Sequence, residues 1–334
     1  MKKIVHVGQM KSGTTYIQNA LSQNRMLLAD RGLLYPGELF NQQHACYGLC
    51  GPDIPWAEFR DKWVKLAEEM LDEMETTDKD VLISSEALSC MASAGVQNFV
   101  DKMAGIDEVV ITVRNLQSVL LSGWQQNIKG GGKKNLKEYI DSVKHDRLTN
   151  GRIWRPYSFG ETAHTWSCHA NVSVVIVGDG VNSNNVLENF ADACHIPHID
   201  APYLDTSKKN KSLKREDVEL LRFFNKLNQN MGKEDREKYV RWLLKKGFFP
   251  AANLADGSRI TMSPESADMV SDWAKEEIRK IPDAVRVYGD VSEVAKIKLD
   301  DVEEMRDIQS YELLERANKI LQLMHNKAAG NAKG

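Results

Sequence analysis

Five consecutive residues near the start of the chain carry the groups that bind an anion. A lysine and three hydroxyl residues surround a glycine, and a second glycine, Gly8, lies five positions before it. Ammonium and hydroxyl groups donate hydrogen bonds to anionic oxygens, and glycine lets the backbone approach a ligand closely. The pattern therefore predicts an anion site formed by Lys11, Ser12, Gly13, Thr14 and Thr15.

The elements on either side of these residues are of the kind that positions a phosphate. A β-branched run, Ile4–Val7, precedes Gly8, and an apolar pattern with helical spacing begins at Ile17. We expect a strand, a tight loop and then a helix from about Thr14 to Ala29. The amides of the loop and of the helix start would then converge on the anion.

Gly8 and Gly13 have the spacing of a Walker A loop, but the lysine is in a different place. In a Walker A loop the lysine follows the second glycine, and a Ser or Thr then holds magnesium. Here Thr14 occupies the lysine's position, and Lys11 lies inside the loop. A plain strand-to-helix turn that uses glycine for its bend is the alternative interpretation.

The sequence favours a site without a metal ion. The apolar strands Val81–Ile83 and Val109–Val113 lead into Ser-Ser-Glu and Arg-Asn, so neither ends in the Asp of a magnesium site. His44, Cys46 and Cys50 are close enough in sequence to suggest zinc. A fourth ligand is not evident, and we interpret this grouping as chance.

The residues Lys11–Thr15 resemble the phosphosulfate loop of the sulfotransferases that use 3′-phosphoadenosine 5′-phosphosulfate (PAPS). A second motif of that family is a strand ending in Arg, with a Ser eight residues later on the next helix. Val109–Arg114 and Ser122 match it. The resemblance covers about residues 1–230 and implies a P-loop NTPase-like fold with PAPS as co-substrate. It also implies that Arg114 and Ser122 hold the 3′-phosphate, while Lys11 stabilises the charge on the leaving phosphate.

A third stretch, Asn210-Lys211-Ser212-Leu213, resembles a late motif of some bacterial-type members of this family. The resemblance implies that Asn210 and Ser212 contact the nucleotide. Ser212 could instead serve only as the N-cap of the helix that follows, because serine is a favoured residue at that position.

The general base has three candidates. The family resemblance implies two locations: the end of the strand after the first long helix, where Glu86 lies, and the loop after the first helix, which contains Glu38 and His44. Glu86 is the first choice because it follows a buried strand. His44 has the more suitable unperturbed pKa, about 6.5, and Glu38 ranks third. A cap or a structural ion pair is the alternative role for Glu86.

The order of elements predicts an α/β fold with a mostly parallel central sheet flanked by helices. Further strands are expected at Asp80–Ser85, Val109–Val113 and Val172–Val177, and Leu33–Pro55 is expected to be an irregular active-site loop. We divide the chain into an α/β core at 1–232, a helical C-terminal extension at 233–326 and a disordered tail at 327–334.

Four polar or glycine residues, Gly8, Glu86, Arg114 and Gly178, each follow the end of a predicted strand. In a parallel sheet these ends lie at one edge, outside which ligands bind. We therefore expect the four residues to line a common site.

The composition is that of a soluble globular protein. The 334 residues are 42% hydrophobic and 27% charged, and the net charge of −3 predicts no general attraction to nucleic acid. Five cysteines without a C-x-x-C pair favour reduced thiols. We find no signal peptide and no apolar run of about 20 residues, so a cytoplasmic protein without a membrane span is expected.

These observations predict a metal-independent sulfotransferase. It would transfer the sulfuryl group of PAPS to a hydroxyl-bearing acceptor, either a carbohydrate or a small metabolite. A P-loop nucleotide or metabolite kinase with a displaced lysine is one alternative. A nucleotide-binding module without catalysis is the other.

Overall fold

The protein is built on a sheet of six strands. The computed structural model describes residues 1–57, 60–178, 184–203, 212–252, 256–303 and 308–331. The strands are β1 (Lys3–His6), β2 (Leu33–Leu34), β3 (Asp80–Ser84), β4 (Glu108–Arg114), β5 (Asn171–Val177) and β6 (Arg286–Tyr288). Their order in the sheet is β2-β3-β1-β4-β5-β6, and every pairing is parallel. The predicted fold class is therefore confirmed.

Both faces of the sheet are covered, as its β-branched strands require. On one face, Ile4, Leu82 and Val110 pack in a cluster with apolar residues of two flanking helices. Alternation along the strands points Val5 and Val109 to the opposite face, where both are fully buried.

The strand order makes the end of β1 the natural place for a ligand. From β1 the chain first builds β2 and β3 on one side, and it then builds β4, β5 and β6 on the other. Ligands of open α/β sheets bind at such a switch point, outside the carboxyl ends of the strands.

Fourteen α-helices lie within the described residues. They are α1 (Thr14–Gln23), α2 (Arg25–Asp30), α3 (Gln43–Cys50), α4 (Asp61–Glu75), α5 (Ser93–Lys102), α6 (Leu116–Lys129), α7 (Leu136–Arg147), α8 (Phe159–Ser167), α9 (Asn184–Cys194), α10 (Arg215–Leu227), α11 (Lys233–Leu243), α12 (Phe249–Ala251), α13 (Pro264–Lys280) and α14 (Ser310–Asn331). A π-helical segment, Leu244–Phe248, joins α11 to α12.

Two predicted elements differ in the structure. The first helix does not continue to Ala29, because it ends at Gln23 and a separate helix starts at Arg25. Between them, the Asn24 side chain donates to the Ala20 carbonyl at 2.8 Å and caps α1. The asparagine therefore supplies a local stop that the apolar pattern does not reveal.

The prediction of an irregular loop over Leu33–Pro55 is wrong. This segment contains the edge strand β2 and the helix α3. A side chain at Gly48 would collide with the backbone of Trp63 on α4. The glycine thus permits a close helix–helix contact, and this tertiary packing outweighs its low helix propensity.

The chain divides into two compact units, each built from separate stretches. The first comprises Met1–Val119, Val143–Leu204 and Val270–Lys296 and contains the sheet. The second comprises Leu120–Ser142, Asp205–Met269 and Ile297–Gly334. The sequence-based division at residue 232 assumed contiguous domains instead, and it placed β6 in the helical extension.

Inside the second unit, a buried ion pair links α10 to α14. Arg316, only 4% exposed, donates to both carboxylate oxygens of Asp217 at 2.6 and 2.8 Å. It also donates to Asp256 at 2.9 Å. The helix α14 runs to Asn331, into the tail predicted to be disordered. Among the described helices, none is both long enough and apolar enough to cross a membrane.

Candidate anion-binding site

The loop between β1 and α1 has two residues in the left-handed backbone region. Lys11 has φ 68° and Gly13 has φ 85°. Gly13 adopts this conformation at little cost, whereas a lysine there is uncommon. The Ser12 N–H closes a tight turn on the Gln9 carbonyl at 3.1 Å. The loop is therefore held in one specific bend before α1 begins at Thr14.

Gly8 is required by its surroundings rather than by its φ angle. A Cβ atom at this position would collide with Thr14 Cγ2 and lie 2.9 Å from Thr112 Oγ1. The backbone of the loop therefore runs directly against the first helical turn and against β4. This close approach is the physical reason for the first glycine of the pattern.

Glu86 lies against the same loop. It follows β3, and its carboxylate accepts a hydrogen bond from the Thr14 hydroxyl. Burial lowers the pKa of Lys11, and the negative charge of Glu86 acts in the opposite direction. The structure thus brings the predicted lysine, threonine and carboxylate together at the ends of two neighbouring strands, as the sequence analysis expects.

Gln9 connects this loop to the end of β4. Its side-chain oxygen accepts the Arg114 N–H at 3.3 Å, and its side-chain nitrogen donates to the Tyr157 carbonyl at 3.1 Å. Its backbone N–H donates to the Thr112 carbonyl at 2.9 Å. Gln9 is only 2% exposed. One buried amide therefore fixes the position of the loop relative to the start of the Arg114 turn.

The turn after Arg114 is itself well anchored. The Asn115 side chain accepts the Ser118 N–H at 3.1 Å and so caps the start of α6. Its amide nitrogen also donates to the carbonyls of Glu293 and Lys296 at 2.9 and 2.7 Å. Arg114 is thus a half-buried residue on a rigid strand end.

Ser12 and Thr15 differ in how they could serve the loop. The Ser12 side chain is fully buried, and its hydroxyl donates to the Gln9 carbonyl at 2.7 Å. This hydroxyl points into the protein, so Ser12 supports the loop from below. Thr15, in contrast, is exposed in the first turn of α1, where helix amides lack partners within the helix.

His44 and Glu38 lie apart from the loop contacts described above. The His44 ring stacks on Trp63 of α4, with centroids 5.2 Å apart and planes 7° apart. Burial and the nearby charges of Lys62 and Arg60 lower the pKa of His44. Glu38 is exposed, and its carbonyl accepts a hydrogen bond from Arg25 at 3.3 Å. The structure therefore groups only Glu86, of the three candidate bases, with Lys11.

The remaining predicted residues fall in or near the second unit. Ser122 lies on α6, half-buried and eight residues after Arg114 in sequence. Ser212 is exposed, and it is not the N-cap of α10, because Lys214 holds that position and its N–H donates to the Asp217 carboxylate at 3.2 Å. Asn210 lies outside the described residues.

The sequence analysis missed two residues that organise the loop, Gln9 and His6. Both are buried polar residues within or beside the first β-branched run. A histidine inside an apolar strand was the available signal, because a buried polar side chain requires hydrogen-bond partners. Those partners come from β3 and β4, and a single sequence does not display such pairings.

The described residues contain no group of three or more His, Cys, Asp or Glu side chains placed to hold a metal ion. Cys46 and Cys50 of the grouping noted in the sequence are buried within α3. Burial raises the pKa of Cys46 to about 12, so this thiol stays protonated at neutral pH.

Comparison with known proteins gives one distant likeness. No protein-family model matches the chain, and no curated protein matches its sequence. The crystal structure of a sulfotransferase from Alicyclobacillus acidocaldarius matches it with a TM-score of 0.42 and 11% identity. The match covers 84% of this chain and 94% of that one. We draw no functional conclusion from a likeness this distant.

Proposed function

We propose that the protein is a PAPS-dependent sulfotransferase. It would transfer the sulfuryl group to a hydroxyl of a carbohydrate or small-metabolite acceptor and release adenosine 3′,5′-bisphosphate. The observation that carries the proposal is the buried Gln9 side chain, which accepts the Arg114 N–H at 3.3 Å and belongs to the same loop as Lys11. Two residues suited to the two phosphate groups of one nucleotide therefore lie at one sheet edge.

In this proposal the loop binds the phosphosulfate end of the nucleotide. The amides at the start of α1 and the Thr15 hydroxyl contact its oxygens. Lys11 donates to the oxygen that bridges phosphorus and sulfur. Negative charge grows on that oxygen as the S–O bond breaks, so an ammonium group there stabilises the transition state more than the ground state.

Arg114 and Ser122 would hold the 3′-phosphate. A guanidinium group presents parallel N–H donors that match a doubly charged phosphate. Asn210 and Ser212 would add contacts to the nucleotide, as the late motif implies. These assignments come from the family resemblance, and the rigid Asn115 cap supports the first of them by fixing the turn in which Arg114 lies.

Glu86 would act as the general base. The acceptor oxygen attacks sulfur in line with the bridging oxygen while its proton passes to the carboxylate. Among the described residues, the Thr14 hydroxyl occupies Glu86 Oε2, which leaves Oε1 to receive the proton. Lys11 and Glu86 then serve opposite ends of the same displacement.

The activity can be tested with sulfur-labelled PAPS and a panel of hydroxyl-bearing acceptors. We expect label transfer to at least one acceptor, undiminished by EDTA. A magnesium-dependent transfer of phosphate from ATP, without transfer from PAPS, would instead support the kinase alternative. Binding of the nucleotide without transfer to any acceptor would support a binding module.

A further inference from the structure

A continuous chain of buried hydrogen bonds runs beneath the anion-binding loop. Its central member is His6, whose Nδ1 lies 2.8 Å from Ser84 Oγ and whose Nε2 lies 3.1 Å from Thr112 Oγ1. Beyond Thr112, its hydroxyl lies 2.9 Å from Ser12 Oγ. The chain consists of Gln18, Ser84, His6, Thr112, Ser12 and the carbonyl of Gln9.

The chemistry of the last group sets the direction of every bond in this chain. The Gln9 carbonyl can only accept, so the Ser12 hydroxyl donates to it at 2.7 Å. Each hydroxyl has one proton to give. Thr112 therefore donates to Ser12, and the His6 Nε2–H donates to Thr112.

The other half of the chain fits the same direction. Gln18 Nε2 donates to Ser84 Oγ at 3.1 Å. The Ser84 hydroxyl can then donate to His6 Nδ1, which is the acceptor nitrogen of a neutral imidazole. The geometry thus specifies a neutral His6 with its proton on Nε2.

The surroundings of His6 keep it in that state. Its side chain is fully buried, and the Phe190 ring packs edge-on against it with centroids 4.9 Å apart. Ser84, Thr112 and Gln18, the polar groups that bond to it or to its partners, carry no charge. Burial lowers the pKa of His6 to about 3.

We propose that His6 is a positioning residue for the anion-binding loop, because its Nε2–H orients Thr112 and, through Thr112, the Ser12 side chain that holds the Lys11 bend. The inference rests on the proposed function only for the identity of the anion. The loop's conformation is the direct consequence, and it can be measured without any ligand.

Two amide substitutions separate the two halves of the chain. The side-chain nitrogen of His6→Gln can reach the position of Nε2 and donate to Thr112. The shorter side chain of His6→Asn reaches only the position of Nδ1 and can bond to Ser84. Both are neutral, polar and smaller than histidine, so each is the other's control for lost packing.

We expect amide hydrogen exchange of residues 8–14 to stay close to wild type in His6→Gln and to rise by about tenfold in His6→Asn, the effect of losing one buried hydrogen bond. The affinity for adenosine 3′,5′-bisphosphate should follow the same order. Thermal unfolding of the free proteins measures the structural cost, which should be similar in both variants.

Equal loop exchange in the two variants would overturn the positioning role, as would an NMR assignment of the His6 proton to Nδ1. A wild-type protein that fails to bind the nucleotide would remove the proposed function instead. In that case the exchange measurement still decides the role of His6.

Discussion

Lys11 in the first unit and Arg316 in the second are cations withdrawn from water, and their surroundings act in opposite ways. Burial lowers the pKa of Lys11, and the attraction of Glu86 does not outweigh it. Hydrogen bonds to Asp217 raise the pKa of Arg316 more than its burial lowers it. The first arrangement is suited to receive an anion, whereas the second already contains its anion and serves to join helices.

The comparison teaches that a buried charge alone does not identify a functional site. Arg316 has the better geometry, with two bonds to one carboxylate and a third to Asp256. Lys11 has the left-handed backbone and the neighbouring helix start. The loop conformation and the balance between burial and ion pairing separate the two roles.

The largest effect on stability should come from Arg316→Leu. Removing one partner of a buried ion pair leaves Asp217 without compensation, which costs about 3–5 kcal/mol of unfolding free energy. Urea unfolding measures this loss. Lys319→Met is the control, because Lys319 pairs with Asp256 at the surface and such a pair contributes about 0–1 kcal/mol. A loss no larger than the control's would contradict the structural role of Arg316.

Lys11→Ala should show the opposite behaviour. We expect kcat to fall by about 10²–10³-fold, the effect of removing one donor that stabilises developing charge. The KM for PAPS should change far less, and stability by about 0.5 kcal/mol or less. Lys65→Ala, which removes a lysine side chain that is 75% exposed, is the control. A loss confined to KM would reduce Lys11 to a binding residue.

Glu86→Gln tests the partner of that lysine. The amide can still accept the Thr14 hydrogen bond, so the substitution removes the base and its charge while it keeps the contact. We expect kcat to fall by about 10²-fold. His44→Gln and Glu38→Gln should retain near-normal turnover, because neither side chain contacts the loop. If His44→Gln is the impaired variant, the assignment of the base is wrong.

The smallest effect concerns the neutral histidine beneath the loop. The unfolded chain gains a proton on His6 below pH 6.5, whereas the folded protein does so only near pH 3. Stability must therefore fall as the pH drops through this window, by up to about 1.4 kcal/mol per pH unit from this group. The difference in unfolding free energy between wild type and His6→Gln isolates it. Parallel pH curves for the two proteins would show that His6 is not buried and neutral.

The sequence alone was enough to predict the sheet and the edge that carries the site. The long β-branched runs at β4 and β5 and the glycine pattern after β1 have local signatures that a single chain displays. Those signatures also predict that Glu86 and Lys11 meet, because parallel strands end at one edge.

The elements that were missed depend on distant partners. The strand β6 has three residues, and it forms because Arg286–Tyr288 pairs with β5 more than 100 positions earlier. The helix α3 contains a glycine whose value is the close approach to α4. Gln9 and His6 were missed for the same reason, since their partners lie on β3, β4 and the Tyr157 turn.

The most direct test of the account is whether the loop and Arg114 bind opposite ends of one nucleotide. Calorimetry would compare adenosine 3′,5′-bisphosphate, AMP and adenosine 3′-monophosphate in the wild type, Arg114→Met and Lys11→Met. We predict that Arg114→Met weakens the bisphosphate by about tenfold or more and leaves AMP unchanged. Lys11→Met should weaken the bisphosphate and AMP and leave the 3′-monophosphate unchanged. If each substitution weakens both monophosphates equally, or neither weakens the bisphosphate, the two residues do not bind the two ends of the same molecule.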